Sequence, residues 1–409
     1  MTDLQPEPDA ATEPIRVILK PRRAMPFFSR HPWVFDSAID RVSSQPEQGG
    51  PVEVWSAKNE FVAHGFWNSA SNIRVRLFSW DRQQPPDDAW LDSTIRRAVS
   101  LRRSLFDLTS PVSACRLVFS EADGVSGLTG DLYGNHLLVQ FTSLALYLRR
   151  DAIVASLQRE LQPEGIWLRT EKGMREAEGL EAADGLITGA PPPRPLFIEE
   201  NGIQFGVDVQ EGQKTGCYLD QRDNRLAAAK YCRGQDVLDA FCFSGGFGIT
   251  AAKVGAAASV LGIDSSEAAL NLAAANAELN GVADRCRYLR GDVKAELAQM
   301  AADGRKFGTV IIDPPRMARS RSGLSRAVKG YFRLNQAALK VLKPDGILVT
   351  CSCSGLVSRE AFREMLANVA TISGRSIQIL EQLGQPPDHP VSVSCPETEY
   401  LKVLICRVS

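Results

Sequence analysis

No run of about 18 apolar residues occurs in this sequence, so no membrane-spanning helix is expected. Histidine is scarce: His31, His64, His136 and His389 are the four, none at a useful metal-ligand spacing from another donor. No metal site is therefore expected. Cysteine is present but unpatterned. The nine residues are odd in number and scattered, and nothing in their spacing resembles a disulfide framework. The opening residues are polar and acidic and carry no apolar secretory core. These absences point to a reducing cytoplasm and free thiols. Net charge is also missing, at −1, so the total balance selects no partner.

What is present is ordinary globular material. A chain of 409 residues with 44% hydrophobic and 23% charged residues can bury two or three cores. Its charge is unevenly placed. Residues 1–14 hold acids only and read as a disordered tail. Residues 15–35 hold Arg16, Lys20, Arg22, Arg23 and Arg30 with no acid, and eight Lys or Arg lie between Pro314 and Pro344 with none. Such blocks fit either a polyanion-facing surface or solvated helix faces.

Short β-type runs at 51–55, 61–66 and 73–78 suggest a small β-rich unit over 15–80. Helical spacing at 91–106 and 151–161, with strands at 137–142 and 165–169, suggests an α+β unit over 85–190. Residues 189–195, GAPPPRP, read as a linker. From 196 to 409 the rhythm is α/β. Strands are expected at 236–240, 259–263, 286–290, 309–312 and 346–350, alternating with helices, which predicts a parallel sheet covered on both faces. Two final strands, at 391–394 and 400–408, are too close for a helical crossover and are expected to pair antiparallel. That combination resembles the Rossmann-like class I methyltransferase sheet.

The segment DVLDAFCFSGGFGITAAKVG runs strand, glycine loop, helix. Gly245, Gly246 and Gly248 permit a tight turn and close ligand approach, and the helix start offers N–H groups to a polar ligand. Asp264, nineteen residues after Gly245, ends the second strand and suits ribose hydroxyls. Asp292 ends the third and suits an adenine amine. A glycine loop alone is also any tight turn; the two acids make it an adenosine-type site. The absence of a Walker lysine argues against a nucleoside triphosphate.

Strand four ends in Asp313-Pro314-Pro315, a carboxylate on a stiffened loop that suits gripping a base edge, or a simple turn with a capping aspartate. Just past strand five lie Cys351 and Cys353, on either side of Ser352. A thiolate there can add to C6 of a pyrimidine and make C5 nucleophilic. Because a free thiol is mostly protonated at neutral pH, it needs a cationic field, for which the stretch from Arg316 is the candidate. A lone cysteine is also commonly a small buried hydrophobe.

Taken together, EGQKTGCYLDQRDNR at 211–225, FCFSGGFG at 241–248, DPPR at 313–316, SCSG at 352–355 and DHPV at 388–391 resemble the bacterial ribosomal RNA large-subunit methyltransferase I family. The resemblance spans nearly all of the chain after residue 14. It implies a small β-barrel PUA domain at 15–80, a central α+β domain at 85–190 and the class I methyltransferase domain at 196–409. It implies S-adenosyl-L-methionine as cofactor, held by Phe241, Ser244, Gly245, Gly246, Asp264, Ser265, Asp292, Val293 and Asp313. It implies large-subunit ribosomal RNA as partner, met by Arg16, Lys20, Arg22, Arg23, Gln221, Arg222, Pro314, Pro315 and Arg316. A homodimer stays open.

Related RNA 5-methylcytosine enzymes carry a nucleophilic cysteine seven residues past the last glycine before strand five, which from Gly346 is Cys353. Asp313 would hold the cytosine edge. Many carry a second cysteine in a D-A-P-C pattern, where this chain has Arg316, so the base that removes the C5 proton is unassigned. The rival readings are a guanine N2 or N7 methyltransferase, which needs no nucleophilic cysteine, and a non-catalytic RNA-binding or assembly factor. His389, in the DHP turn, reads as structural.

Overall fold

The computed structural model describes residues 13–169, 172–210, 217–318 and 320–409. Most of the acidic tail, the stretch 211–216 and Arg319 lie outside them.

The first unit is a six-stranded sheet, in the order Trp33–Phe35, Ile73–Ser79, Phe61–Trp67, Pro51–Trp55, Arg16–Leu19, Ile39–Val42. Alternate β-branched and leucine side chains, among them Val17, Leu19, Val54, Val75 and Leu77, fill one core. The second unit is a five-stranded sheet ending in Ala114–Phe119, with the helix Asp88–Leu105 packed on it. Asp87 caps that helix by accepting from the Trp90 N–H at 2.7 Å.

After the hairpin Leu196–Glu200 and Ile203–Val207 comes the short helix Arg222–Ala229, then the large sheet. Its elements are β1 (Asp236–Ala240), α1 (Gly246–Lys253), β2 (Ser259–Asp264), α2 (Glu267–Leu279), β3 (Cys286–Arg290), α3 (Val293–Ala302), β4 (Phe307–Ile312), α4 (Leu324–Val341), β5 (Leu342–Ser352), α5 (Arg359–Ser373), β6 (Ile377–Leu383) and β7 (Lys402–Val408). The seven strands lie in the order β3-β2-β1-β4-β5-β7-β6, and β7 alone runs opposite in direction to the other six. Every residue of β4 is buried, as a central parallel strand covered on both faces requires. The order reverses direction at β1 and β4, so their C-terminal ends open the crevice in which doubly wound sheets bind ligands.

The antiparallel hairpin forms, but not from the expected pair. The partner of β7 is β6, whose IQILEQL alternates half-buried and exposed positions as an edge strand does. Residues 391–394 make a turn with one isolated bridge, Ser392 to Cys395. Pro390 and Pro396 flank this turn and cannot donate to a ladder. Among the described residues no helix is long and apolar enough to cross a membrane.

Candidate active site

The loop after β1 is built on strained backbone. Phe241 (φ 65°), Phe243 (φ 47°) and Gly245 (φ 84°) are all left-handed. Bulky residues rarely adopt this region, at a cost of about 1–3 kcal/mol each. Alternate left-handed residues curl backbone into a concave turn. Asp264 pins it: one oxygen accepts from the Phe243 N–H at 3.0 Å, the other from the Ser266 N–H at 2.9 Å. Below, the buried Asp239 accepts from the Gly248 N–H at 2.8 Å. Burial pushes Asp239 up to about 7, against that hydrogen bond. A Cβ on Gly245 would stand 2.9 Å from Ile249 Cδ1 and 3.1 Å from Tyr288 Oη, so no side chain fits there.

This cradle suits the adenosine half of S-adenosylmethionine. Asp264, half-buried at the end of β2, keeps lone pairs for ribose hydroxyls beyond the two N–H groups it holds. Asp292 caps α3 through Ala295 at 3.0 Å and stays exposed, with its second oxygen available to an exocyclic amine. Val293 opens α3 beside it, and Ser265 is exposed after Asp264. Phe241 is half-buried, and buried Ser244 presents its carbonyl to Asn276 at 3.3 Å. Behind the loop, Arg225 lies against Gly246, donates to the Tyr218 carbonyl at 2.6 Å and pairs with Glu200 at 3.2 Å.

At the neighbouring strand ends, Asp313 is half-buried, Pro314 buried, and Pro315 and Arg316 exposed. Arg316 turns back to the Ala318 carbonyl at 3.0 Å. The two candidate thiols are in opposite environments. Cys351 is fully buried within β5, opposite Val403, and burial holds its thiol well above the ordinary range. Cys353 stands one residue past β5, is half-buried, and sets its Sγ 3.8 Å from the Pro314 carbonyl. The eight other cysteines are all buried.

Ser354 locks the two loops together. Its Oγ accepts from the N–H groups of Met317 and Ala318, both at 3.1 Å, and bonds Tyr331 Oη at 3.0 Å. The loop between β6 and β7 adds Tyr400, which donates to Asp220 at 2.7 Å. Tyr218 packs edge-on against Phe243 at 5.2 Å, and burial, with Asp313 nearby, raises its phenol. The sequence reading passed over Tyr218, Asp220, Ser354, Tyr400 and Lys402. Tyr218 and Asp220 lie within EGQKTGCYLDQRDNR and Ser354 within SCSG, whereas Tyr400 and Lys402 carried no local signal.

Two residues expected near the cofactor or target base lie in the interior. Gln221 and Arg222 are 3% and 7% exposed. Gln221 accepts from Asn224 at 2.7 Å and bonds the Cys351 thiol. Arg222 donates to the Ala114 carbonyl, faces Asp388 at 3.5 Å and stacks on Phe106 at 4.7 Å. A guanidinium so committed belongs to the seam between the central and catalytic domains. His389 is buried in the same seam, bonded to Asp388 at 3.1 Å.

In the first domain, Lys20, Arg22 and Arg23 are exposed, while Arg16 is half-buried over Trp55 at 4.6 Å. His31, Cys395 and Glu397 form a three-donor cluster between this domain and the β6–β7 loop. The Trp33 N–H donates to His31 Nδ1 at 3.2 Å, which leaves the proton on Nε2, facing Glu397 at 3.2 Å. That tautomer makes a hydrogen-bonded latch and opposes a metal at Nε2.

Residues 17–80 match the PUA-like domain, and residues 181–407 match the S-adenosylmethionine-dependent methyltransferase family. A protein named ribosomal RNA large subunit methyltransferase I, from Shewanella amazonensis, is 39% identical over 96% of this chain and 99% of its own length. Its namesake from Aeromonas hydrophila is 41% identical over 92% and 95%. A solved chain from Streptococcus mutans, described as a candidate SAM-dependent methyltransferase, shares the fold with a TM-score of 0.82 at 20% identity, covering 96% of this chain and 99% of its own. A strained glycine loop over two strand-end acids, a PUA-like domain in front, and near full-length likeness to such relatives place this chain in the ribosomal RNA large subunit methyltransferase I family, a group of S-adenosylmethionine-dependent methyltransferases.

Proposed function

We propose that the chain methylates C5 of a cytosine in large-subunit ribosomal RNA, with Cys353 as the nucleophile. The observation that carries this reading is the placement of Cys353. It is the one cysteine of nine that is not buried, at the C-terminal end of the sheet beside the Asp313-Pro314-Pro315 loop. The names of the relatives support the RNA. So does α4, whose Arg326, Lys329 and Arg333 are exposed and form no ion pair among the described residues. Such a cationic face suits phosphates.

S-adenosylmethionine, when bound, supplies an electrophilic methyl group. The chain's residues do the rest. Gly245, Asp264 and Asp292 hold the adenosine end. Lys20, Arg22 and Arg23 contribute phosphate contacts, with Pro315 and Arg316 at the mouth of the cleft. The target base must be unpaired or flipped to reach Cys353. The thiolate sulfur forms a bond to C6, the C5–C6 π pair moves toward C5, and Asp313 holds the base edge at N3 or N4. After C5 is methylated, loss of its proton and breakage of the S–C6 bond restore the aromatic base and the thiolate.

Cys353→Ala tests this. Cytosine methylation of deproteinised large-subunit RNA should fall below detection by nucleoside mass spectrometry, while calorimetry with S-adenosylmethionine stays within about twofold of the parent. Unchanged 5-methylcytosine, or a methylated guanine in its place, would overturn the covalent reading.

A further inference from the structure

The thiol needs a cation, and the exposed Arg316 is engaged with the Ala318 carbonyl. A different cation lies inside. Lys402, the first residue of β7, is 2% exposed. It stands opposite Ser352 in the β5–β7 ladder, immediately before Cys353. Its Nζ donates to the Ser354 carbonyl at 2.6 Å and to the Tyr400 carbonyl at 2.9 Å. Its bonds thus hold the residue that follows Cys353 and its own loop. No carboxylate among the described residues comes within ion-pair distance of it. A buried ammonium without a carboxylate is costly, and a negative charge nearby offsets that cost.

We infer that Lys402 is the positioning residue that activates Cys353: its buried ammonium is the counter-ion of the Cys353 thiolate and fixes the loop that carries it. The thiol proton leaves to solvent, and the sulfur anion then faces a fixed positive charge in a low-dielectric setting, where the attraction is stronger than in water. Burial draws Lys402 down to about 8, and the negative charge of Cys353 is the foremost influence holding it up.

The other charges around the pair are mixed. Asp313, Asp220 and Glu399 oppose a thiolate or compete for the ammonium. Arg316 and Arg359 disfavour the charged lysine, and Arg116 faces Tyr400 from the central domain. The phenols of Tyr218, Tyr331 and Tyr400 are pushed upward and stay neutral near pH 7. Among the described residues, Lys402 is the buried cation that bonds the residue following Cys353.

The inference rests on reading Cys353 as the nucleophile, and its test separates the two. The rate of iodoacetamide alkylation is followed against pH in the full-length protein. Cys353→Ser identifies the reporting thiol, since the other cysteines are buried. In the parent protein the Cys353 midpoint should lie below the ordinary thiol value of about 8.5. In Lys402→Met it should move up by at least about one pH unit, with roughly tenfold slower alkylation at pH 7. Lys402→Arg should stay near the parent profile, and S-adenosylmethionine binding should be unchanged in both variants. A parent midpoint at or above 8.5, or a folded Lys402→Met with the parent profile, would overturn the pairing. The parent measurement decides even if the variants fail to fold. A Cys353→Ala protein that still makes 5-methylcytosine would remove the nucleophile and leave the ion pair standing.

Discussion

Asp239 shows how burial sets a residue's chemistry. It is 1% exposed, and burial outweighs its hydrogen bond from Gly248 to raise it to about 7. The unfolded chain releases this proton near the ordinary value of 3.8. Between these values the folded state binds more protons than the unfolded one, so stability is fully present below the lower value and falls as pH rises through the upper. Asp239→Asn should flatten the pH dependence of urea stability between about pH 4 and pH 7. A slope equal to the parent's would assign that window to other groups. The contrast between Cys351 and Cys353 belongs to the same scale. Two residues apart, one thiol is locked in the ladder and the other has left it.

The glycine loop acts as one element. Gly245 combines a left-handed φ with crowding on the side where a Cβ would project. Gly245→Ala should cost about 1–2 kcal/mol of stability from backbone conformation alone, seen in urea melts. It should also weaken S-adenosylmethionine binding in calorimetry, because the loop must shift away from Ile249. Parent-like affinity would mean that the loop tolerates the methyl group without moving the ligand. The pattern FCFSGGFG made this loop legible. The strain at Phe241 and Phe243 was not, since aromatic residues ordinarily indicate strands or cores. The β6 edge strand was missed for a related reason: Glu381 at a half-buried position and Leu380 at an exposed one break the alternation of Ile377, Ile379 and Leu383.

Across the whole molecule, the DHP turn joins domains distant in sequence. Asp388 accepts from the Arg116 N–H at 3.0 Å and faces Arg222, while its carbonyl accepts from Arg102 at 2.7 Å. Burial would raise this carboxyl, but His389, Arg222 and the Arg116 N–H together hold it below the ordinary 3.8. Its contribution is present above that value and is lost as the pH falls below it. Asp388→Ala leaves Arg222 facing an unfilled, buried seam. It should lower stability by about 3 kcal/mol in urea at pH 7, with a deficit that shrinks in acid. A loss under about 0.5 kcal/mol would place the seam's strength in its apolar contacts instead.

The sequence by itself determined the α/β class, the rhythm of buried strands and helices, the glycine loop and its two strand-end acids. These are local matters of period, turn chemistry and spacing. The tertiary structure decided which thiol is accessible, that Gln221 and Arg222 are interior, and which cation bonds the residue that follows Cys353. Lys402 comes to hold the Ser354 carbonyl only because β7 runs antiparallel to β5 and sets it opposite Ser352. A pairing between strands that a helix and a third strand separate in sequence leaves no periodic mark in either segment.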